Sequence, residues 1–425
     1  MIKKVFKIEK GLRGEITVPA DKSISHRSVI FGGLAKGKTL IKNFSNGQDP
    51  ISSLKIMQSL GVEIERISEN SLQITSDGNL KPPKIALDCG NSGTTMRLMG
   101  GVLAGQNFTS TLIGDESLSS RPMKRIITPL TLMGAEIHST DNHAPISIVG
   151  HNLVGIDYAS PIASAQVKSC ILLAGLFADG KTSVTEPYIS RNHSELMLKY
   201  LGANLTVDGN KVCIEKSELI AKEINICGDI SSAAYFIVAG LIVPNSDIIL
   251  KNVGLNPTRT GILDVAKSMG GNVEVLDQKE VSGELVGDLR VKYSELKSTE
   301  ISGEIIPRLI DEIPAIAVLA TQAEGTTVIK DAQDLRNKES DRITATATEL
   351  RKLGAEIEEL EDGFRISGKT KLKGGCEVEV YHDHRLAMSL YVAGLVCQKE
   401  IAIKDFEWVA ISFPEFESLF NRLVF

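Results

Sequence analysis

Aromatic side chains are scarce in this chain, at 5% of 425 residues. A core must therefore be built from Leu, Ile, Val and Ala. Cysteine is scarce too: the six present are Cys89, Cys170, Cys213, Cys227, Cys376 and Cys397, and no two are closely spaced. That spacing leaves no zinc or redox motif, and reduced thiols in a reducing cytoplasm are expected. The seven histidines add no metal-ligand spacing, so neither a metal nor a cofactor is expected. Positive charge is not in excess either. With 47 basic and 53 acidic residues the net charge is −6, which argues against nucleic acid or an anionic membrane as a partner. No apolar run approaches the ~20 residues of a membrane span. The start, Met1-Ile2-Lys3-Lys4-Val5-Phe6, lacks the apolar stretch of a signal peptide.

What is present is the composition of a soluble globular protein, 42% hydrophobic and 24% charged. Single cores rarely grow past about 250–300 residues, so two domains or more are expected. The chain also carries a repeat. Six apolar helical stretches, residues 26–35, 94–104, 167–177, 233–243, 314–323 and 384–396, are each followed by a short polar turn and a β-rich run. The runs are residues 39–43, 110–113, 183–186, 247–251, 327–330 and 401–404. A second marker interleaves with the first. Amphipathic helices end in Gly61, Gly134, Gly202, Gly270 and Gly354, each leading into an alternating strand. Glycine there suits the left-handed residue that closes a helix. Five such ends spaced by roughly 70–85 residues argue for repeated α/β units.

One string misleads. Gly32-Gly33-Leu34-Ala35-Lys36-Gly37-Lys38-Thr39 has the spelling of a nucleotide-binding P-loop. That loop works only when a strand enters it and a helix leaves it. Here a helical stretch enters and a strand-like run leaves, so ATP binding is not expected.

The chemistry-bearing residues lie in strand-to-helix loops at equivalent places in the repeat. Asp21-Lys22-Ser23-Ile24-Ser25-His26-Arg27 opens the first apolar helix, and Gly90-Asn91-Ser92-Gly93-Thr94-Thr95-Met96-Arg97 opens the second. Ser119-Ser120-Arg121-Pro122-Met123 places an arginine before a helix expected to start at Pro122. Ser164-Ala165-Gln166-Val167-Lys168-Ser169 opens the third apolar helix, and Ser190-Arg191-Asn192-His193-Ser194 follows its strand. Lys338-Glu339-Ser340-Asp341-Arg342 and Asp383-His384-Arg385 complete the set, the latter at what is expected to be the last helix. Taken singly, each reads equally well as a capped helix or a charged loop. Helix N-termini bind anions through free N–H groups and the helix dipole. Seven cations at equivalent places, Lys22, Arg27, Arg121, Arg191, Lys338, Arg342 and Arg385, would together form a site for ligands with several negative charges.

These strings, in this order, resemble the 3-phosphoshikimate 1-carboxyvinyltransferase (EPSP synthase) family nearly end to end. Ser119-Ser120-Arg121-Pro122-Met123, Ser190-Arg191-Asn192-His193 and Ser412-Phe413-Pro414-Glu415-Phe416 are similar to the second class of that family, found in some bacteria. The resemblance implies an α/β fold of six βαβαββ repeats, three per domain, with parallel inner helices and outer sheets. It implies one domain from residues 1–20 with 229–425 and another from 21–228, closing on substrate in a cleft between them. It implies transfer of the enolpyruvyl group of phosphoenolpyruvate to the 5-hydroxyl of shikimate 3-phosphate, on the way to chorismate and the aromatic amino acids. By the same resemblance, Lys22, Ser23, Arg27, Ser164, Ala165, Gln166, Arg191, Asp311 and Lys338 would contact shikimate 3-phosphate. Lys22, Asn91, Gly93, Arg121, Gln166, Arg342 and Arg385 would contact phosphoenolpyruvate. Asp311 would be the base, and Lys22 and Glu339 candidates for the other proton transfers, with no metal and no cofactor.

Two positions depart from the family's other patterns. Ile411 stands where part of the family has a lysine, and Leu98 where the first class has proline. Gly93 is kept where alanine would crowd the inhibitor glyphosate. The related UDP-N-acetylglucosamine enolpyruvyl transferases usually have Lys-Asn where this chain has Lys22-Ser23, and a loop cysteine near Arg121 that this chain lacks. A cytoplasmic monomer is expected, because the repeats bury their own faces.

Overall fold

The computed structural model describes residues 1–424. The chain divides into two compact units. One comprises Met1–Pro19, Cys227–Glu280 and the chain from Leu285 onward; the other comprises Ala20–Ile226 and Val281–Glu284. The short excursion Val281–Glu284 has no counterpart among the boundaries implied by the family resemblance.

Among the described residues there are six sheets, three in each unit. Their pairing repeats. In the Ala20–Ile226 unit, Leu87–Asp88 runs parallel to Thr109–Ile113, which pairs antiparallel with His143–Val149 and, through it, with Glu136–Thr140. Asp157–Ala159, Thr182–Thr185, Lys211–Ile214 and Leu205–Asp208 follow the same order. So do Leu219–Ile220, Ala35–Lys42, Ser71–Ser76 and Glu63–Ser68, although the first of these strands comes from the far end of the unit. The first two sets are contiguous βαβαββ modules, because the parallel pair needs a helical crossover and the antiparallel pair only a hairpin; the third has the same sheet order with its first strand supplied from the other end of the unit.

The other unit repeats the pattern with Glu300–Ile301, Gly325–Ile329, Gly363–Gly368 and Glu356–Leu360. A second sheet sets Arg13–Thr17 parallel to Asp247–Gly254, which pairs with Glu284–Lys292. The third is truncated. Glu377–Val378 runs parallel to Ile401–Ile403, and the N-terminal strand Lys3–Val5 takes the place of a hairpin.

The crossover helices are the apolar stretches of the repeat: Lys22–Leu34, Gly93–Ala104, Ala165–Gly175, Ile230–Ile242, Ile313–Thr321 and His384–Gly394. They are buried along most of their length, which requires small residues at their crossings. A Cβ on Gly101 would lie 2.0 Å from the backbone oxygen of Cys170 on the neighbouring helix, so only glycine permits this approach.

The five outer helices close as the glycines imply. Gly61, Gly134, Gly202, Gly270 and Gly354 have φ between +81° and +98°. The N–H of the following residue reaches back five positions: Val62 to Met57, Ala135 to Leu130, Ala203 to Leu198, Gly271 to Ala266 and Ala355 to Leu350. This is the Schellman closure, and it satisfies carbonyls that the helix end would leave orphaned. At the P-loop-like string the helix Lys22–Leu34 enters and the strand Ala35–Lys42 leaves, the reverse of a phosphate-binding loop.

Two local expectations are corrected. The helix after Arg121 starts at Lys124, not Pro122; Met123 stands outside it, its N–H bonded to Asn142 O at 2.8 Å. The helix opened by Asp383-His384-Arg385 is not the last, since Phe416–Leu423 follows it. Phe416 and Phe420 of that terminal helix, with Phe413 before it, pack on Phe236. The Ser412–Phe416 string is thus a core anchor, and the few aromatics are concentrated where a terminal helix must be held down.

Candidate active site

In the Ala20–Ile226 unit the candidate residues sit at the N-termini of three buried helices. Asp21 caps the first, accepting from Ile24 N at 2.8 Å. Lys22, the first helical residue, places its ammonium 3.0 Å from Asp49 Oδ2. Arg27 lies one turn on and is buried. Its Nε donates to Ser194 Oγ at 2.7 Å, one terminal nitrogen to Ser23 O at 2.9 Å and the other to Ser169 Oγ at 3.0 Å. Burial draws its pKa down to about 10 against the pull of Glu195 and Asp21, so it remains a cation at neutral pH.

Ser92 caps the second helix by accepting from Thr95 N at 3.1 Å. Asn91, beside it, donates to Asp115 Oδ2 at 2.8 Å and accepts from Arg121 at 2.9 Å. Arg121 also donates to Ser117 Oγ at 3.1 Å. Gly93 lies between two guanidiniums: a Cβ there would be 3.2 Å from Arg97 Nη1 and 3.7 Å from Arg121 Nη1. Ser164 caps the third helix. Gln166 accepts from Arg97 and donates to Thr94 Oγ1 at 2.9 Å, which ties the second helix to the third. Arg191 precedes the His193–Tyr200 helix and acts on the charge of Arg27.

In the other unit one carboxylate is ringed by cations. Asp311 lies in the 3₁₀ turn Ile310–Glu312. Its oxygens are 3.4 Å from Arg342, 3.9 Å from Lys338 and 3.9 Å from Arg385. Lys338 also faces Asp334 at 3.2 Å, and Glu339 holds Arg342 at 2.6 Å. Arg342 is 1% exposed at its side chain and is gripped by the fully buried Asp383, Nε to Oδ2 at 2.7 Å and Nη2 to Oδ1 at 3.2 Å. Burial opposes the charge of Arg342, but Asp383 and Glu339 outweigh it and hold the guanidinium above its ordinary value. For Arg385, likewise, burial is outweighed by Asp311, Tyr235 and Glu312. Burial pushes the Asp383 carboxyl upward, and Arg342 brings it below the usual carboxylate range.

The structure thus gathers the candidate residues in two groups, one per unit. Lys22, Ser23, Arg27, Asn91, Gly93, Arg121, Ser164, Ala165, Gln166 and Arg191 belong to one; Asp311, Lys338, Glu339, Arg342 and Arg385 belong to the other. Three supporting residues were given no role by sequence. Asp383 opens one of the recognised strings and occupies the N-cap position, a usable signal. Arg97 lies four residues past Gly93 on one helix face, also a usable signal. Asp49 has none, because it belongs to a helix without any motif, Gln48–Ser59. Among the described residues, no group of three or more His, Cys, Asp or Glu is arranged to hold a metal. No helix among them is long and apolar enough to cross a membrane.

The model of the family described as EPSP synthase (3-phosphoshikimate 1-carboxyvinyltransferase) matches residues 6–420. The 3-phosphoshikimate 1-carboxyvinyltransferase of Geotalea uraniireducens is 51% identical over 423 residues, 99% of this chain and 98% of its own. That of Bacillus licheniformis is 52% identical over 419 residues, 97% of each chain. The solved structure of EPSP synthase from Acinetobacter baumannii superposes with a TM-score of 0.91 at 44% identity, covering 100% of this chain and 98% of that one. The enolpyruvyl transferase NikO from Streptomyces tendae shares the fold, with a TM-score of 0.80 at 16% identity, covering 99% of this chain and 97% of its own.

Proposed function

Because this chain belongs to the EPSP synthase (3-phosphoshikimate 1-carboxyvinyltransferase) family, we infer that it transfers the enolpyruvyl group of phosphoenolpyruvate to the 5-hydroxyl of shikimate 3-phosphate and releases phosphate. Each substrate carries a phosphate and a carboxylate, so four anionic groups need partners. Lys22, Ser23, Arg27, Ser164, Ala165, Gln166, Arg191 and Lys338 are assigned to shikimate 3-phosphate. Lys22, Asn91, Gly93, Arg121, Gln166, Arg342 and Arg385 are assigned to phosphoenolpyruvate. Fork-shaped guanidiniums suit carboxylate and phosphate better than a point charge does.

The chemistry is an addition followed by an elimination. The 5-hydroxyl oxygen attacks C2 of the enol, its proton passes to a base, and C3 takes a proton from an acid. The result is a tetrahedral intermediate bearing a C3 methyl group. C3 then loses a proton as the C2–O bond to phosphate breaks. Asp311 is the base for the hydroxyl, and Lys22 and Glu339 are the groups for C3 and the leaving phosphate. Fixed guanidiniums stabilise the charge that develops on the leaving group without reorganising. One observation supports this assignment most: the Asp311 carboxylate within 4 Å of Lys338, Arg342 and Arg385. The reaction would take place in the cytoplasm, by a monomer.

Turnover in heavy water tests the sequence of steps. The transient methyl group mixes solvent deuterium with the original hydrogens, so the vinyl CH2 of product and of recovered phosphoenolpyruvate is expected to carry deuterium. A product free of deuterium would exclude addition–elimination.

A further inference from the structure

A buried charge cluster, centred on a lysine given no role above, adjoins Arg27 and Ser164. Lys168 sits on the Ala165–Gly175 helix, its side chain 2% exposed. Its ammonium is 2.8 Å from Glu186 Oε2 and 2.7 Å from Glu195 Oε1, and it donates to Ser190 O at 3.3 Å. Both glutamates are as buried as the lysine. Burial opposes the ammonium's charge, yet Glu195 and Glu186 hold it above the usual lysine value. Arg27 supplies the second positive charge, and Glu195 is the foremost charge acting on it. Two cations and two carboxylates are thus kept from water together. Buried ions are a poor means of gaining stability compared with apolar packing, so their benefit is expected elsewhere.

The hydrogen bonds indicate where. Glu186 Oε1 accepts from the N–H of Ser164 at 2.8 Å. Glu186 Oε2 accepts from Ser190 N at 3.3 Å and Ser190 Oγ at 2.8 Å. One carboxylate therefore joins the N-cap of a helix to the loop that carries Arg191. On the other side, Ser169 and Ser194, 2.6 Å apart, hold Arg27. The cluster stands behind Ser164, Arg191 and Arg27. Asn91 and Arg121 are held by different groups, Asp115 and Ser117.

We propose that Lys168, Glu186 and Glu195 are positioning residues that fix Ser164, Arg27 and Arg191 for shikimate 3-phosphate and leave phosphoenolpyruvate binding almost untouched. The proposal rests on the assignment of that substrate above. Lys168 draws both carboxylates to its ammonium, and Glu186, so held, accepts hydrogen bonds from Ser164 N, Ser190 N and Ser190 Oγ. Without the ammonium, Glu186 loses its counter-charge and turns away, and the two loops separate.

Steady-state kinetics and calorimetric titration with shikimate 3-phosphate test it, on Lys168→Met, Lys168→Arg and Glu186→Gln beside the unaltered enzyme. Lys168→Met is expected to raise Kd and KM for shikimate 3-phosphate at least about tenfold, with KM for phosphoenolpyruvate and kcat within about threefold. Lys168→Arg, which keeps the charge, is expected to recover most of the affinity. If Lys168→Met folds and binds shikimate 3-phosphate as the unaltered enzyme does, or if both KM values rise together, the cluster is merely structural and the proposal is wrong. If Lys168→Met does not fold, Glu186→Gln decides by the same two criteria. Unaltered enzyme that does not bind shikimate 3-phosphate would overturn the substrate assignment itself, a failure visible before any variant is compared.

Discussion

In the proposed reaction Asp311 is the base. Its carboxylate faces three cations, and of these groups a carboxylate is the one whose chemistry suits it to accept the hydroxyl proton. Asp311→Asn keeps the size and the hydrogen-bonding shape and removes the base. Its kcat is expected to fall about 10²–10⁴-fold, the usual contribution of a general base. Calorimetry should show shikimate 3-phosphate still binding to the variant, because Lys22, Arg27 and Arg191 are intact. Turnover close to that of the unaltered enzyme would place the base elsewhere. Around Asp311 the supporting residues act by constraint. Asp383 is fully buried and meets Arg342 with both oxygens, while the same oxygens accept from Ser340 Oγ and Arg385 N, which restrains the guanidinium.

At the scale of elements, the βαβαββ module is readable from sequence because two local signals coincide: an apolar helix and a glycine-closed helix. Both depend on near neighbours. The glycine closures need a left-handed residue and a carbonyl a few positions back, and all five are found. The start of the helix after Arg121 is not readable, because it is decided by Asn142, far along the chain. The same holds for the support of the candidate site. Asp49 meets Lys22 across 27 residues and Glu284 meets His193 across 91; no spacing rule reaches so far.

One such long-range network has a pH signature. His26, on the first buried helix, bonds through Nδ1 to Ser53 Oγ at 2.8 Å, and Ser53 bonds to Thr95 Oγ1 at 2.8 Å. Three helices are thereby joined through neutral hydroxyls. Burial, above all, pushes the His26 imidazole down to about 3, against the pull of Asp49. The unfolded imidazole takes up its proton near 6.5; the folded one does not. Stability is therefore full above pH 6.5 and declines as pH falls from there toward 3. Between pH 7 and pH 5 this residue alone should remove about 2 kcal/mol. Denaturant titrations at the two values check it. His26→Gln should have a shallower dependence on pH, and equal slopes in the two proteins would contradict the assignment.

At the scale of the whole molecule, a chain with more acids than bases (53 against 47) keeps arginine and lysine beside buried carboxylates in both of its units. Such pairing holds the cations in place before a ligand arrives, so that they need no reorganisation when the phosphate leaves. Phosphorus NMR of the enzyme with both substrates tests the central claim most directly. The expected result is loss of the phosphoenolpyruvate resonance and appearance of inorganic phosphate in equal amount, with the shikimate 3-phosphate ester shifting but staying attached to carbon. Without shikimate 3-phosphate, phosphoenolpyruvate should persist. Phosphate released in its absence, or a spectrum unchanged in the presence of both substrates and folded protein, would contradict enolpyruvyl transfer.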